Sequence, residues 1–292
     1  MNWQIILVLN VFIYVVAWVL IRLIVKKLPW RAQALSLQFL ICAFSVSLYG
    51  LVTGNFHFSI ESSWVMLIGF CVAFGAYCQW RAIDLSLSKT SLLFSPLISV
   101  FTILLATIFL GEMSKWNLML AGGITILFAA VFFFYWSTRS KAKKGNDQKR
   151  GNFKQQLFFI SVMVVIFGTS VFLRKKFSNI PLLSWMTYWY IGTFLGSLPL
   201  LYLERQNPFK FPGKMIFLVP LSSLAILASL VTQFWAIDLT LVSRVESFRL
   251  IGTTFLPVLA GWFIFKERKG LLKREILAFS LGIAGAMLII IS

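Results

Sequence analysis

Gln79-Trp80-Arg81-Ala82-Ile83-Asp84-Leu85 recurs as Gln233-Phe234-Trp235-Ala236-Ile237-Asp238-Leu239, with Gln, Ala, Ile, Asp and Leu in the same places. Each copy closes a long apolar run. The correspondence extends outward in both directions. Upstream, Arg22 and Pro29 match Arg174 and Pro181 at equal spacing. Downstream, after one inserted residue, Phe109-Leu110-Gly111-Glu112 matches Ile264-Phe265-Lys266-Glu267. Three matches in the same order, in a sequence dominated by interchangeable apolar residues, mark an internal duplication.

The duplicated material is membrane-like. The chain has 292 residues, 59% hydrophobic and 12% charged. A soluble domain carries roughly 25% charged residues, so the composition departs towards the membrane class. A helix needs about 20 apolar residues to cross the hydrocarbon. Ten runs qualify, roughly at 3–25, 34–53, 64–84, 91–110, 116–137, 157–176, 182–203, 215–237, 244–265 and 271–291. No alternating barrel pattern is present, so backbone satisfaction in lipid makes each run a helix. The first run lacks a basic lead and a small-residue cleavage site, so it reads as a span rather than a signal peptide. The fold expected is an all-α membrane protein of ten transmembrane helices.

Five spans per copy is an odd number. Tandem copies must then enter the bilayer in opposite orientations, giving two inverted five-helix repeats. The repeats occupy 1–138 and 157–292. Between them Ser140 to Gln156 reads SKAKKGNDQKRGNFKQQ, and 139–156 is expected to be a flexible basic linker. The net charge is +18. In a soluble protein that would suggest nucleic acid, but here the cations sit between apolar runs and fit the positive-inside bias. Twenty basic loop residues lie on the linker's side and six on the other. The bias places the linker in the cytoplasm and both termini outside.

The pattern resembles the EamA-like family of the drug/metabolite transporter superfamily. Members have ten helices in two repeats, a proline in the fourth helix and a glutamate ending it. Ser95-Pro96-Leu97 and Leu110-Gly111-Glu112 carry these features in the first half. The second half keeps Glu267 but has Ile251 where the proline would fall, with Pro257 six residues later. The resemblance covers nearly the whole chain. It implies a multi-pass protein of the prokaryotic cell (inner) membrane that exports a small metabolite, such as an amino acid or amphipathic compound. It also implies cytoplasmic termini, against the loop charges.

Ionisable groups inside spans are functional candidates because insertion penalises them. Glu246 and Arg249 lie three residues apart in the ninth run and share a helix face. Arg249 could hold a substrate carboxylate or phosphate; Glu246 could exchange a proton or bind an amine. The alternative is a self-satisfied ion pair. Gln79 and Gln233 hold equivalent positions and could bind a polar substrate group, or simply bond between helices. Trp80 and Trp235 beside them could offer stacking faces, as could Tyr14 and Trp18 on one face of the first helix; packing is the alternative for each. Tyr188, Trp189 and Tyr190 cluster in the seventh.

The remaining singular residues have structural readings. Asp84 and Asp238 end their helices and would cap or pair with a nearby cation such as Arg81 or Lys89. Glu112 and Glu267 would cap the next helix. Arg22 and Arg174 would reach the headgroups, and Arg244 would snorkel. Gly192 and Gly196 have a GxxxG spacing that allows close helix approach without requiring dimerisation. Pro96, Pro199, Pro220 and Pro257 could kink their spans. Cys42, Cys71 and Cys78 read as buried small hydrophobes, and His57 as an interfacial loop residue.

No phosphate-cradling loop, catalytic triad or metal spacing is legible, so no cofactor, no enzyme activity and no nucleic-acid partner are expected. The expected partners are a small-molecule substrate, the lipid bilayer and protons through Glu246, with the chain a monomer. The leading reading is a secondary transporter working by alternating access, one half rocking against the other. A carrier or flippase of phosphorylated or lipid-linked sugars is the alternative within transport. A membrane-embedded enzyme or sensor is the alternative outside it, and the duplication argues against it.

Overall fold

The computed structural model describes residues 2–27, 31–54, 59–111, 118–144, 147–206, 213, 215–267 and 273–291. Among them there are ten helices and no strand. The helices are α1 (Trp3–Lys27), α2 (Arg31–Thr53), α3 (Ile60–Leu85), α4 (Leu87–Phe109) and α5 (Leu118–Lys144) in the first half. In the second they are α6 (Asp147–Lys176), α7 (Leu182–Leu203), α8 (Met215–Leu239), α9 (Val242–Phe263) and α10 (Lys273–Ile291). Each expected span therefore falls on a helix.

Five helices contain stretches long and apolar enough to cross a membrane: α1, α2, α3, the 154–176 stretch of α6 and the 217–239 stretch of α8. The face of α1 shows how such a helix is read. Ile5, Leu9, Phe12 and Val16 are exposed, an i, i+4, i+7, i+11 stripe. Leu7, Asn10, Trp18, Ile21 and Val25 are buried on the opposite side. Large apolar residues pointing outward in a helix this long are what a lipid face requires. α7 differs because Ser184 to Tyr190 are buried without a break. Enclosed by protein over this stretch, it accommodates Trp, Tyr, Ser and Thr in place of aliphatic residues, whereas Leu195, Leu198, Tyr202 and Leu203 further along are exposed.

Two findings correct the expected organisation. The basic segment at 139–156, expected as a flexible linker, is mostly helical among the described residues, since α5 continues to Lys144 and α6 begins at Asp147. Its many Lys, Gln and Arg residues are good helix formers that extend the flanking spans. The compact units also cut across the two halves. One comprises Met1–Trp80 with Thr169–Leu239, and the other Arg81–Gly168 with Thr240–Ser292.

In the first unit α1 packs along α8, and α2 packs on α7 and α8. α3 meets α7 at glycines. A Cβ on Gly192 would fall 2.0 Å from the Met66 carbonyl oxygen, one on Gly196 2.3 Å from that of Phe70, and one on Gly69 2.1 Å from that of Trp189. Backbone meets backbone there, as the GxxxG spacing anticipated. In the second unit α4 packs on α9, and α5 on α10. Val100, Ile103, Ile124 and Leu250 form its apolar core, with Leu104 against them. Three of these pairings, α2 with α7, α4 with α9 and α5 with α10, join helices five places apart in chain order.

Candidate functional site

The second unit holds a buried ion pair. On α9, Val245, Glu246, Arg249 and Leu250 are buried while Arg244 is exposed, so one face of the helix turns inward and carries both charges with it. Arg249 Nη1 donates to Glu246 Oε1 at 2.9 Å, with side-chain exposures of 9% and 1%. Ser99 Oγ, from α4, donates to Glu246 Oε2 at 3.2 Å. Thr253 Oγ1 donates back to the Arg249 carbonyl. Val100 and Leu250, neighbours in sequence of Ser99 and Arg249, belong to the apolar core. The pair thus sits one to two turns into α9, in surroundings of low dielectric. Taking two charges out of water costs several kcal/mol each, and mutual attraction often does no more than offset that. Stability is a poor explanation for such a pair.

At the far end of α9, Glu267 has a structural task. Its carboxylate accepts from the backbone N–H of Leu87 (3.2 Å) and Ser88 (2.9 Å) and from the hydroxyls of Ser86 and Ser88. The expectation that it caps the next helix is corrected: it caps α4, from the other half of the sequence. Glu112 and His57 lie outside the described residues.

The first unit gathers a different set. Asn10 Nδ2 donates to the Ser229 carbonyl at 2.5 Å and to the Thr232 hydroxyl at 3.1 Å, tying α1 to α8. One turn along α1 the rings of Tyr14 and Trp18 lie 5.0 Å apart and inclined by 38°. Trp18 is buried and Tyr14 half-buried. Gln233 is buried and Gln79 half-buried, both within this unit. Trp80 is buried, and its indole N–H has no hydrogen-bond partner among the described residues.

Trp235 is different. It is 39% exposed; in the match between the two segments Trp80 falls opposite Phe234 and Arg81 opposite Trp235. Phe234 takes the inner position, packing edge-on against Trp185 and Trp189. Of the two tryptophans that could offer stacking faces, Trp80 is thus buried and Trp235 is partly exposed.

Arg174 and Asp238 supply a second ion pair, at 2.5 Å, with side-chain exposures of 1% and 25%. Arg174 also donates to the Ile180 carbonyl at 2.9 Å, and its guanidinium lies 5.4 Å from the Trp185 ring centre. It folds inward instead of reaching the headgroups, and Arg22 is likewise buried. Arg244 is exposed, as snorkelling requires. Cys42 and Cys78 are buried, but Cys71 is exposed, contrary to expectation.

Of the residues singled out in the sequence, Glu246, Arg249, Trp18, Trp80 and Gln233 are buried. The sequence reading missed Asn10 and Ser99. Asn10 was discoverable as the one amide within an otherwise apolar and aromatic stretch of α1. Ser99 carried no signal, because serine is common in membrane helices and its role depends on what α9 presents to it.

No family model matches the chain, and no curated protein matches it in sequence. Solved structures do match in fold. One, described only as the crystal structure of a protein, has a TM-score of 0.64 at 15% identity and covers 98% of this chain and 97% of that chain. At that identity the likeness is one of fold alone.

Proposed function

We propose that the protein is a secondary transporter that exports a small metabolite, such as an amino acid or another amphipathic solute, through ten spans arranged as two inverted repeats. The observation that carries this reading is the pairing of helices with their own sequence counterparts: α2 with α7, α4 with α9, and α5 with α10. Inverted duplicates that pack on each other can exchange conformations. When the first repeat adopts the second's shape and the second the first's, access moves from one side of the membrane to the other. Because counterpart helices share one compact unit, this exchange replaces the rigid rocking of one half against the other.

All ten helices have the length for a span. The shortest, α10, has 19 residues, within the range of about 17–25 that a crossing needs. In α7 Ser184, Thr187, Thr193 and Ser197 are buried in protein, as are Glu246, Ser247, Arg249, Thr253 and Thr254 in α9, while Arg244 is exposed. The charge bias places the segment at 139–156 in the cytoplasm, and reporter fusions there and at the C-terminus test that orientation. Glu246 and Arg249 are the residues expected to meet the solute, with Glu246 the candidate for any proton coupling. Trp80, Gln79, Gln233, Tyr14 and Trp18 are the candidates in the first unit, and exposed Trp235 ranks below them. The phosphorylated-sugar reading gains nothing from Arg249, whose charge is already balanced by a carboxylate.

Reconstitution in proteoliposomes tests the function. Wild-type protein should give saturable efflux of preloaded solute, which Glu246→Gln and Arg249→Gln reduce at least about tenfold by removing interactions of a desolvated charge pair. Wild-type rates in both variants would show that the site is elsewhere.

A further inference from the structure

One residue, Ser86, joins two long helices, α3 ending at Leu85 and α4 beginning at Leu87. So short a joint leaves the last carbonyls of one helix and the first N–H groups of the other in need of partners. Side chains from two other helices supply them, all within the second compact unit. We propose that these side chains, Glu267 and Gln156, clamp the α3–α4 joint from two sides, and that the clamp is the gate closing this end of the second unit. The proposal rests on the transport reading. It adds the contacts that must break for access at the face where the segment 139–156 leads into α6.

The chain aims each jaw of the clamp. α9 ends in a Schellman-type turn: Lys266 takes φ 56°, and the Glu267 N–H returns to the Gly261 carbonyl at 3.0 Å. That reversal carries the Glu267 carboxylate to α4, where it accepts from the Leu87 and Ser88 N–H groups and the Ser86 and Ser88 hydroxyls. Gly261 allows the approach, since a Cβ there would lie 3.0 Å from Ser88 Cβ. The second jaw comes from α6. Gln156 is 4% exposed, and its Nε2 donates to Thr90 Oγ1 at 3.0 Å. Thr90 Oγ1 in turn donates to the Ala82 carbonyl at 2.8 Å. Glu267 thus holds the start of α4, and Gln156, by way of Thr90, holds the end of α3. Water could satisfy such groups at a helix end. What side chains from α9 and α6 add is attachment. α4 and α9 pack on each other, and their ends must part if they are to open at this face. The contacts suit repeated breaking. Ser86 and Glu267 are only half-buried, so water can take over their hydrogen bonds, and the net contribution of each bond is then small.

The test reads access to the helix beneath the clamp. It uses the full-length protein in nanodiscs, with Cys71→Ala and Cys78→Ala as background. Ser91→Cys places a thiol at a fully buried position one turn along α4 from the joint. Cys42, buried in the first unit, stays as the reporter of general loosening. A water-soluble maleimide labels both, and peptide mass spectrometry gives the two rates. Glu267→Gln weakens hydrogen bonds to a charged group, so labelling at the introduced cysteine should rise at least about tenfold, with the Cys42 rate unchanged. Gln156→Leu should raise it in the same way through the second jaw. Should Glu267→Gln fail to fold, Ser88→Ala removes one donor to the same carboxylate and carries the test. No rise in any of these variants, or an equal rise at Cys42, overturns the gate. Efflux from proteoliposomes tests the transport reading separately. Saturable efflux with unchanged labelling overturns the gate alone; absence of efflux overturns the reading on which the gate rests.

Discussion

Arg174 and Gly192 show opposite ways in which one residue controls this protein. Arg174 is 1% exposed and meets Asp238, two carbonyls and the face of Trp185, while its Nε–H has no hydrogen-bond partner among the described residues. Asp238→Asn would leave that guanidinium buried without a counter-charge. A loss of about 2–4 kcal/mol is expected, read as a fall in thermal stability in detergent. Arg174→Met combined with Asp238→Leu should be less harmful than Asp238→Asn, because no charge is then left alone. Gly192 acts through what it lacks. A Cβ there would meet the Met66 carbonyl oxygen at 2.0 Å, and backbone cannot move aside as a side chain can. Gly192→Ala should therefore abolish the folded, monodisperse protein. Gly122→Ala is the control: nothing lies within 4 Å of its Cβ position on α5, so the variant should be neutral or gain up to about 1 kcal/mol from helix propensity.

Helix ends are held from a distance in sequence. Glu267 follows α9 and caps α4; Glu204 follows α7 and accepts from the Ala32 N–H of α2 and the Tyr77 hydroxyl. Beside each glutamate is a basic residue in the left-handed region, Arg205 at φ 50° and Lys266 at φ 56°. Glu267→Ala should cost about 1–2 kcal/mol by removing the cap. Lys266→Gly should gain up to about 1 kcal/mol, since glycine adopts that conformation without a Cβ penalty. A thermal-unfolding series on both variants checks the opposite signs. The helices themselves were legible from apolar length, and the glycine crossing from its spacing. The role of Glu267 was not. A carboxylate in a turn points by default to the helix next in sequence, whereas the N–H groups it satisfies belong to residues about 180 positions earlier. Which face Trp235 takes was open for a related reason: register sets the face a residue occupies, and in the sequence match the place of buried Trp80 falls to Phe234, with Trp235 39% exposed.

For the whole chain, the matching segments could be read from the sequence and the packing of one half's helices on the other's could not. Helices of the two sequence halves can pack among themselves or on each other, with the same periodicity and the same loop charges in either case. Burial favours the second arrangement. α7 carries Trp185, Trp189, Thr187 and Ser197 inward, and it needs a neighbour able to pair with such groups. α2 supplies one: Ser197 Oγ donates to Ser36 Oγ at 3.0 Å. That contact gives a decisive test. In a background with Cys42, Cys71 and Cys78 replaced by serine or alanine, Ser36→Cys and Ser197→Cys place two thiols where the hydroxyls already meet, near disulfide distance. With a protease site inserted between Lys144 and Asp147, mild oxidation followed by cleavage should leave both fragments in one band on a non-reducing gel. Reduction should separate them, and either cysteine alone should give two fragments throughout. If the oxidised double variant separates on cleavage, the halves are independent bodies and counterpart packing is lost as the basis for alternation. If the band holds, the cross-link also joins the two repeats across α2 and α7. On the proposed exchange of repeat conformations, transport should then slow when oxidised and recover on reduction, because repeats that exchange shapes must shift against each other.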